Sequence, residues 1–236
     1  MLQAIALTKT FGRHTALHAL DLSVAKGEIC CLLGPNGAGK TTTISCFLGF
    51  QQPSSGRALV NGIPVDSRPR EARRHLAYIP ETVMLYPYLS GLENLSFFHS
   101  LTGEQLTKET ATRLLLDAGL QESAIHRRVQ GYSKGMRQKV GIAIATAKNA
   151  GALLLDEPTS GLDPSASNEF SALLQRFSRE GRAVLMATHD IYRAKEVATR
   201  IGIMKDGRLL TIMEAAAIDY YSLENAYMEY METSTW

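Results

Sequence analysis

The chain has 236 residues, 45% of them hydrophobic and 20% charged. This is enough apolar chain to bury a core without disulfide or metal staples, and too much for a disordered segment. Lys and Arg number 25 against 23 Asp and Glu, a formal charge of +2, which argues against nucleic acid as a partner because that needs a concentrated basic face. Cys30, Cys31 and Cys46 are too few and too clustered for a disulfide framework, and read as buried thiols of a reducing compartment. A membrane-spanning helix needs about 20 mostly apolar residues. The best stretch, 140–155, is broken by Lys148 and Asn149, and the first residues lack the basic-then-apolar order of a signal peptide. A cytoplasmic protein is expected, one that reaches a membrane only through a partner.

In chain order, strands are expected over 2–7 and 17–24, then over 28–33, a β-rich apolar run of the kind found in central strands. A glycine-rich loop, 34–39, leads into a helix over 41–50 with Gly49 near its stop. Leu59 and Val60 before Asn61-Gly62 read as a hairpin strand, 69–76 as a short basic helix and 76–79 as a strand. From about residue 90 to 148 helical spacing takes over. Its apolar stripes are Leu92, Leu95, Phe98 and Leu101; Leu106, Leu114, Leu115 and Ala118; and Met136, Val140, Ile144 and Ala147. Alternating strands and helices then return: strands at 152–155, 183–187 and 201–205, helices at 164–179 and 191–199, and a turn at Asp206-Gly207 into 208–212. This alternation implies a mostly parallel sheet. Tyr220, Leu223, Tyr227 and Tyr230 close the chain at helical spacing.

Gly34-Pro35-Asn36-Gly37-Ala38-Gly39-Lys40-Thr41 has the spacing G-x-x-x-x-G-K-[ST] between a strand and a helix. Glycines there let backbone N–H groups curl around phosphate oxygens, and the helix that follows turns its positive end to the same anion. Lys40 adds a charge for the β- and γ-phosphates, and Thr41 offers Mg²⁺ a hard oxygen. Further along, Leu153-Leu154-Leu155-Asp156-Glu157 ends an apolar strand in two carboxylates, at the strand end where open α/β sheets place ligands. Asp156 suits Mg²⁺. Glu157, directed elsewhere by strand alternation, is free to orient or deprotonate an attacking water.

With these motifs in this order the chain resembles an ABC-transporter ATPase subunit of the ABC-2 exporter branch, over residues 11 to about 205. The resemblance implies an α/β P-loop NTPase of the ABC ATPase type: a mostly parallel core sheet, an antiparallel N-terminal β subdomain and an inserted α-helical subdomain. It implies one ABC ATPase domain over 1–236, with a core at 1–89 and 149–213, a helical subdomain at 90–148 and a C-terminal helical tail at 214–236. Phe11 stands where the family stacks an aromatic, usually Tyr, on adenine. Residues 34–41 with Thr42 form the nucleotide loop. Tyr132-Ser133-Lys134-Gly135-Met136 replaces the usual Leu-Ser-Gly-Gly-Gln signature and keeps Ser133 and Gly135, which in the family read the γ-phosphate held by the other subunit. Ser160-Gly161-Leu162-Asp163 matches the D-loop, His189 the switch histidine. Glu81 stands in place of the Q-loop glutamine, where a carboxylate can still accept from water on Mg²⁺ but cannot donate. The five other histidines, 14, 18, 75, 99 and 126, read as structural.

The resemblance further implies two Mg-ATP between two head-to-tail subunits, a homodimer, and a separate membrane-spanning permease subunit that holds the protein on the inner face of the cell membrane. The groove for that subunit maps to residues 81–98, where Met84, Leu85, Tyr86, Tyr88 and Leu89 are apolar for a loop; packing under their own helices explains them equally well. A soluble cluster-assembly ATPase is the alternative outside transport. Within transport, 81–91 also resembles the ATPase of copper-processing systems.

Overall fold

The computed structural model describes residues 1–232. Four strands, β1 (Leu2–Phe11), β2 (His14–Val24), β4 (Ser55–Val60) and β5 (Ile63–Pro64), make an antiparallel sheet ordered β2-β1-β4-β5. Six more strands make the second sheet. They are β3 (Ile29–Leu33), β6 (Leu76–Ile79), β7 (Ala152–Asp156), β8 (Ala183–Thr188), β9 (Arg200–Lys205) and β10 (Arg208–Glu214), ordered β10-β9-β3-β8-β7-β6. All are parallel except β10, which pairs antiparallel with β9. The helices are α1 (Lys40–Leu48), α2 (Pro69–Arg74), α3 (Gly91–Ser100), α4 (Lys108–Asp117), α5 (Glu122–Ile125), α6 (Lys134–Ala147), α7 (Pro164–Arg179), α8 (Ile191–Val197) and α9 (Tyr220–Glu232).

The parallel sheet is buried on both faces, which is why β3, β7 and β8 read as unbroken apolar runs. Alternation divides each strand between two cores. Cys31, Leu33, Leu153, Leu155 and Met186 share one core with Leu95, Leu115, Val140 and Phe177, while Cys30, Leu32, Leu154 and Leu185 pack with Phe47, Leu17 and Val60 of the antiparallel sheet and α1. Burial pushes the Cys30 thiol up to about 12 and that of Cys46 to about 11; all three cysteines are free. Pairing sets Leu33 opposite Thr188 and Asp156 opposite Ala187, so the carboxyl ends of β3, β7 and β8 finish side by side.

Several local expectations shift. The first hairpin is longer than expected, because bulges at Ala6 and Ala19, both in the left-handed region, let β1 and β2 bend and continue. α1 stops at Leu48, since left-handed Gly49 returns its N–H to the Cys46 carbonyl. α8 ends at Val197 rather than Thr199: the Thr199 N–H and hydroxyl both donate to the Ile29 carbonyl, and the Ile29 N–H donates back to that hydroxyl, so Thr199 belongs to the sheet. Leu101 is 68% exposed and lies off the α3 stripe, whose interior positions include Asn94 and His99. In α6 the buried face is Gln138, Val140, Gly141, Ile142, Ala143 and Ala145; Met136, Ile144 and Ala147 are only half-buried. α9 packs Leu223 fully into its own core, with Tyr227 half-buried against it; the last part of the expected tail, 233–236, lies outside the described residues. Among the described residues no helix is long and apolar enough to cross a membrane.

Candidate functional site

The loop after β3 turns sharply into α1, and Gly39 makes the turn at φ +100°. A Cβ there would sit 2.7 Å from the Ala16 carbonyl oxygen and 2.8 Å from Leu17 Cδ2, so only glycine lets the loop close against β2. Lys40 follows at once and is buried. Its Nζ donates to the carbonyls of Gly34 at 2.6 Å and Pro35 at 3.0 Å, and lies 3.7 Å from Glu157 Oε1. Burial lowers the pKa of the ammonium, opposed by the charges of Glu157 and Asp156. One residue on, the Thr41 hydroxyl donates to Asp156 Oδ1 at 3.1 Å. Burial raises the Asp156 pKa, that hydrogen bond opposes it, and the Glu157 charge adds to the rise. A hydroxyl and a carboxylate already in contact at a phosphate loop are a hard-oxygen pair that fits Mg²⁺.

Glu157 lies outside β7, so strand alternation does not aim it. Its backbone adopts φ +47°, a conformation that costs a non-glycine residue roughly 1–2 kcal/mol, and its N–H donates to the Ala187 carbonyl. The turn brings the side chain back to the site. Glu157 Oε2 pairs with His189 Nδ1 at 2.9 Å and accepts the His189 N–H at 3.4 Å. Glu157 Oε1 is buried with no hydrogen-bond partner, in ion-pair reach of Lys40. A buried carboxylate oxygen with an unused lone pair can accept a proton.

A cavity of about 380 Å³ collects Phe11, Asn36, Gly37, Ala38, Gly39, Lys40, Thr41, Thr42, Glu81, Asp156 and Glu157. Gly34 and Pro35 stand behind it as acceptors for Lys40, and His189 joins through Glu157. Phe11 is 43% exposed, with Lys9 Nζ 4.7 Å from its ring centroid. Glu81 accepts from the Ser160 hydroxyl at 3.2 Å, which ties it to the start of the Ser160–Asp163 loop. Ser133, Gly135 and Asp163 do not line this cavity. Ser133 caps α6 by accepting from Met136 N at 3.3 Å, Asp163 caps α7 by accepting from Ala166 N, and Gly135 faces Leu162 and Ala166.

Sequence reasoning missed three positions. His14, read as structural, and Ala16 line the cavity wall. Gln138, 2% exposed, donates its Nε2 to the carbonyls of both Glu81, at 3.3 Å, and Pro158, at 3.0 Å. It thereby joins α6 to the residue after Glu157. The available signal was an amide at a helix position facing the interior, where Nε2 finds both of its acceptors and Oε1 is buried without a partner.

A glycine loop feeding a helix, set beside two carboxylates and a histidine at adjoining strand ends, is the equipment of a nucleoside triphosphatase. The ABC transporter family model matches residues 17–160, and the chain belongs to that family as an ATP-binding cassette. It is 37% identical over 204 residues to the uncharacterized ABC transporter ATP-binding protein YdbJ of Bacillus subtilis, covering 86% of this chain and 66% of YdbJ. It is 33% identical over 214 residues to the linearmycin resistance ATP-binding protein LnrL of the same organism, covering 90% of this chain and 68% of LnrL. The chain thus spans about two thirds of the length of these relatives. Among solved structures it resembles the ATP-binding cassette MJ0796, in a dimeric post-hydrolysis state bound to ADP and Pi. That likeness has a TM-score of 0.82 and 26% identity, and covers 91% of this chain and 99% of the other.

Proposed function

We propose that this chain is the ATP-hydrolysing motor of an exporter, working as a homodimer on a separate membrane-spanning subunit at the cytoplasmic face. The observation that carries the reading is the split of its site elements. Lys40, Thr41, Asp156 and Glu157 converge on one cavity, while Ser133 and Gly135 lie elsewhere on the same chain. A complete site then needs a second copy to bring its Ser133 and Gly135 to the γ-phosphate, across an isologous two-fold interface. The dimeric, ADP- and Pi-bound MJ0796 cassette and the resistance role in LnrL's name support this arrangement and the export direction.

In this reading the loop amides of 36–41 and the N-terminus of α1 hold the phosphates, and Lys40 gives up carbonyl partners to reach the β- and γ-oxygens. Thr41 and Asp156 would hold Mg²⁺, which when bound neutralises charge that develops on the phosphate oxygens. Glu81 adds a carboxylate on the same wall, and Phe11 offers adenine its ring. Glu157 Oε1 takes a proton from the attacking water as its oxygen bonds to the γ-phosphorus; the bond to the β–γ bridging oxygen breaks, leaving ADP and phosphate. His189 is positioned by Glu157 to hydrogen-bond the γ-phosphate. Loss of that phosphate removes what both copies grip, and the differential affinity opens the dimer. The membrane subunit docks at 81–98, where Met84 (78% exposed), Tyr86 and Tyr88 present apolar surface and Leu85 packs inward.

The test is capture of partners by tagged Glu157→Gln protein with Mg-ATP from detergent-solubilised membranes of the native host. Near-equal recovery of a polytopic membrane protein is expected. Soluble proteins alone, across several detergents, would overturn the transport reading.

A further inference from the structure

On the side of the molecule where α2, the end of α3 and the end of α6 meet, a second cleft of about 560 Å³ is lined by Arg70, Arg73, Arg74, His99, Glu104 and Lys148. Three arginines and a lysine face one carboxylate. Among the described residues none of the four forms an ion pair. Arg73 donates to the Leu48 carbonyl and Lys148 to the Arg73 carbonyl, so these two are anchored by backbone oxygens that carry no net charge. His99 is buried with its Nδ1 unpartnered, and its Nε2 is 3.8 Å from Glu104. Lys40, Arg200 and Lys139, by contrast, each have a carboxylate partner, in Glu157, Glu28 and Glu169. Like charges gathered at one cleft repel, an arrangement that an incoming anion relieves.

The rim tells what carries the anion. Phe97 and Leu101, four residues apart on the end of α3, are both exposed, and Leu101 lines the cleft. Phe97 packs edge-on against Tyr86 at 4.8 Å and Phe98 at 5.5 Å, so the aromatic surface on which docking was proposed comes within one helical turn of Leu101 at the cleft. Cations below an apolar rim match a segment bearing both carboxylates and apolar side chains. We propose that this cleft receives an acidic segment of the membrane-spanning partner, with Arg70 and Arg74 as the contacts that select its charge. This rests on the docking reading above and adds to it the sign of the partner's charge.

The experiment uses the full chain as Glu157→Gln, with Thr102→Cys at the cleft carrying a photo-crosslinker. The native thiols are all buried, so the new one alone is labelled. After irradiation with Mg-ATP in host membranes, the attached peptide is sequenced. A segment with two or more Asp or Glu from a polytopic membrane protein is expected, and Arg70→Glu/Arg74→Glu should reduce its capture by at least about tenfold, while the same double reversal made in the protein that keeps Glu157 leaves ATP turnover of the isolated protein unchanged. A membrane-protein segment without acidic residues, or equal capture by the charge-reversed variant, overturns the charge assignment and leaves docking standing. Capture of no membrane protein by the parent overturns both. Binding of the isolated protein to phosphatidylglycerol vesicles, abolished by the double reversal, would assign the cleft to lipid and overturn the proposal.

Discussion

The phosphate-loop cavity and the basic cleft are both built around cations, yet they are finished differently. Lys40 is buried and meets Glu157, with Asp156 close by, and its remaining donors go to carbonyls of its own loop. Arg70 and Arg74 are exposed and meet no carboxylate. The difference follows from burial. An unpaired charge in the interior is costly, so the chain must carry its own counter-charge there. At the surface water screens the charges, and the counter-charge can be left to a partner. Substitution in the first region should therefore change chemistry, and in the second only association.

The sharpest way to break this contrast is Glu157→Gln. The amide is nearly the same shape but cannot take a proton. Turnover should fall by about 10²- to 10⁴-fold, the range expected for a general base, with ATP affinity retained. Phosphate release measured beside nucleotide binding checks it, and wild-type turnover in the variant would remove Glu157 from the chemistry.

A smaller effect is expected one layer out. Gln138→Leu removes the donor shared by the part-buried Glu81 carbonyl and the buried Pro158 carbonyl, together with the Gln138 Oε1 that is itself buried without a partner. Leaving the Pro158 carbonyl unpaired destabilises, removing the orphaned Oε1 offsets part of that, and a net stability loss of about 1 kcal/mol is expected. Because Pro158 adjoins Glu157, kcat should also drop by more than KM for ATP moves. Thermal unfolding and steady-state kinetics on one preparation separate the two. A stability loss with kcat intact would make Gln138 merely structural.

Gln138 also marks the limit of what the sequence discloses. The loop 34–41 and the strand ending in Asp156 are legible because their spacing and apolar runs are dictated locally: a glycine turn next to a helix, a strand buried on both faces. The alternation of strands and helices likewise predicts the parallel sheet. The direction of Glu157 is not legible, since it depends on a left-handed turn that ends the strand one residue earlier than alternation assumes. α6 misleads for a related reason. It packs against α3, α4 and β6, and at Gly141 a Cβ would come within 3.1 Å of Val83 in the segment after β6, so its buried face is set by distant elements rather than by its own apolar stripe. The basic cleft is invisible for the same reason: Arg70, Arg74 and Lys148 are up to 78 positions apart and line one cleft only in the folded chain, where Lys148 at the end of α6 bonds the Arg73 carbonyl of α2.

The smallest expected effect lies at the mouth of the cavity. Phe11 is partly exposed, and Lys9, held by its bond to the Gln52 carbonyl, covers one ring face. A base can then stack only on the other. Loss of one such contact is worth about 0.5–1.5 kcal/mol, so Phe11→Ala should weaken ATP binding by about 2- to 12-fold and leave kcat unchanged at saturation. Phe11→Tyr should restore affinity because it keeps the π face. Lys9→Ala tests the geometry itself. If the base uses the uncovered face, removing Lys9 costs little; if affinity instead falls as far as in Phe11→Ala, the ammonium rather than the ring is what meets the nucleotide. Titration of ATP followed by calorimetry on the three variants decides between them.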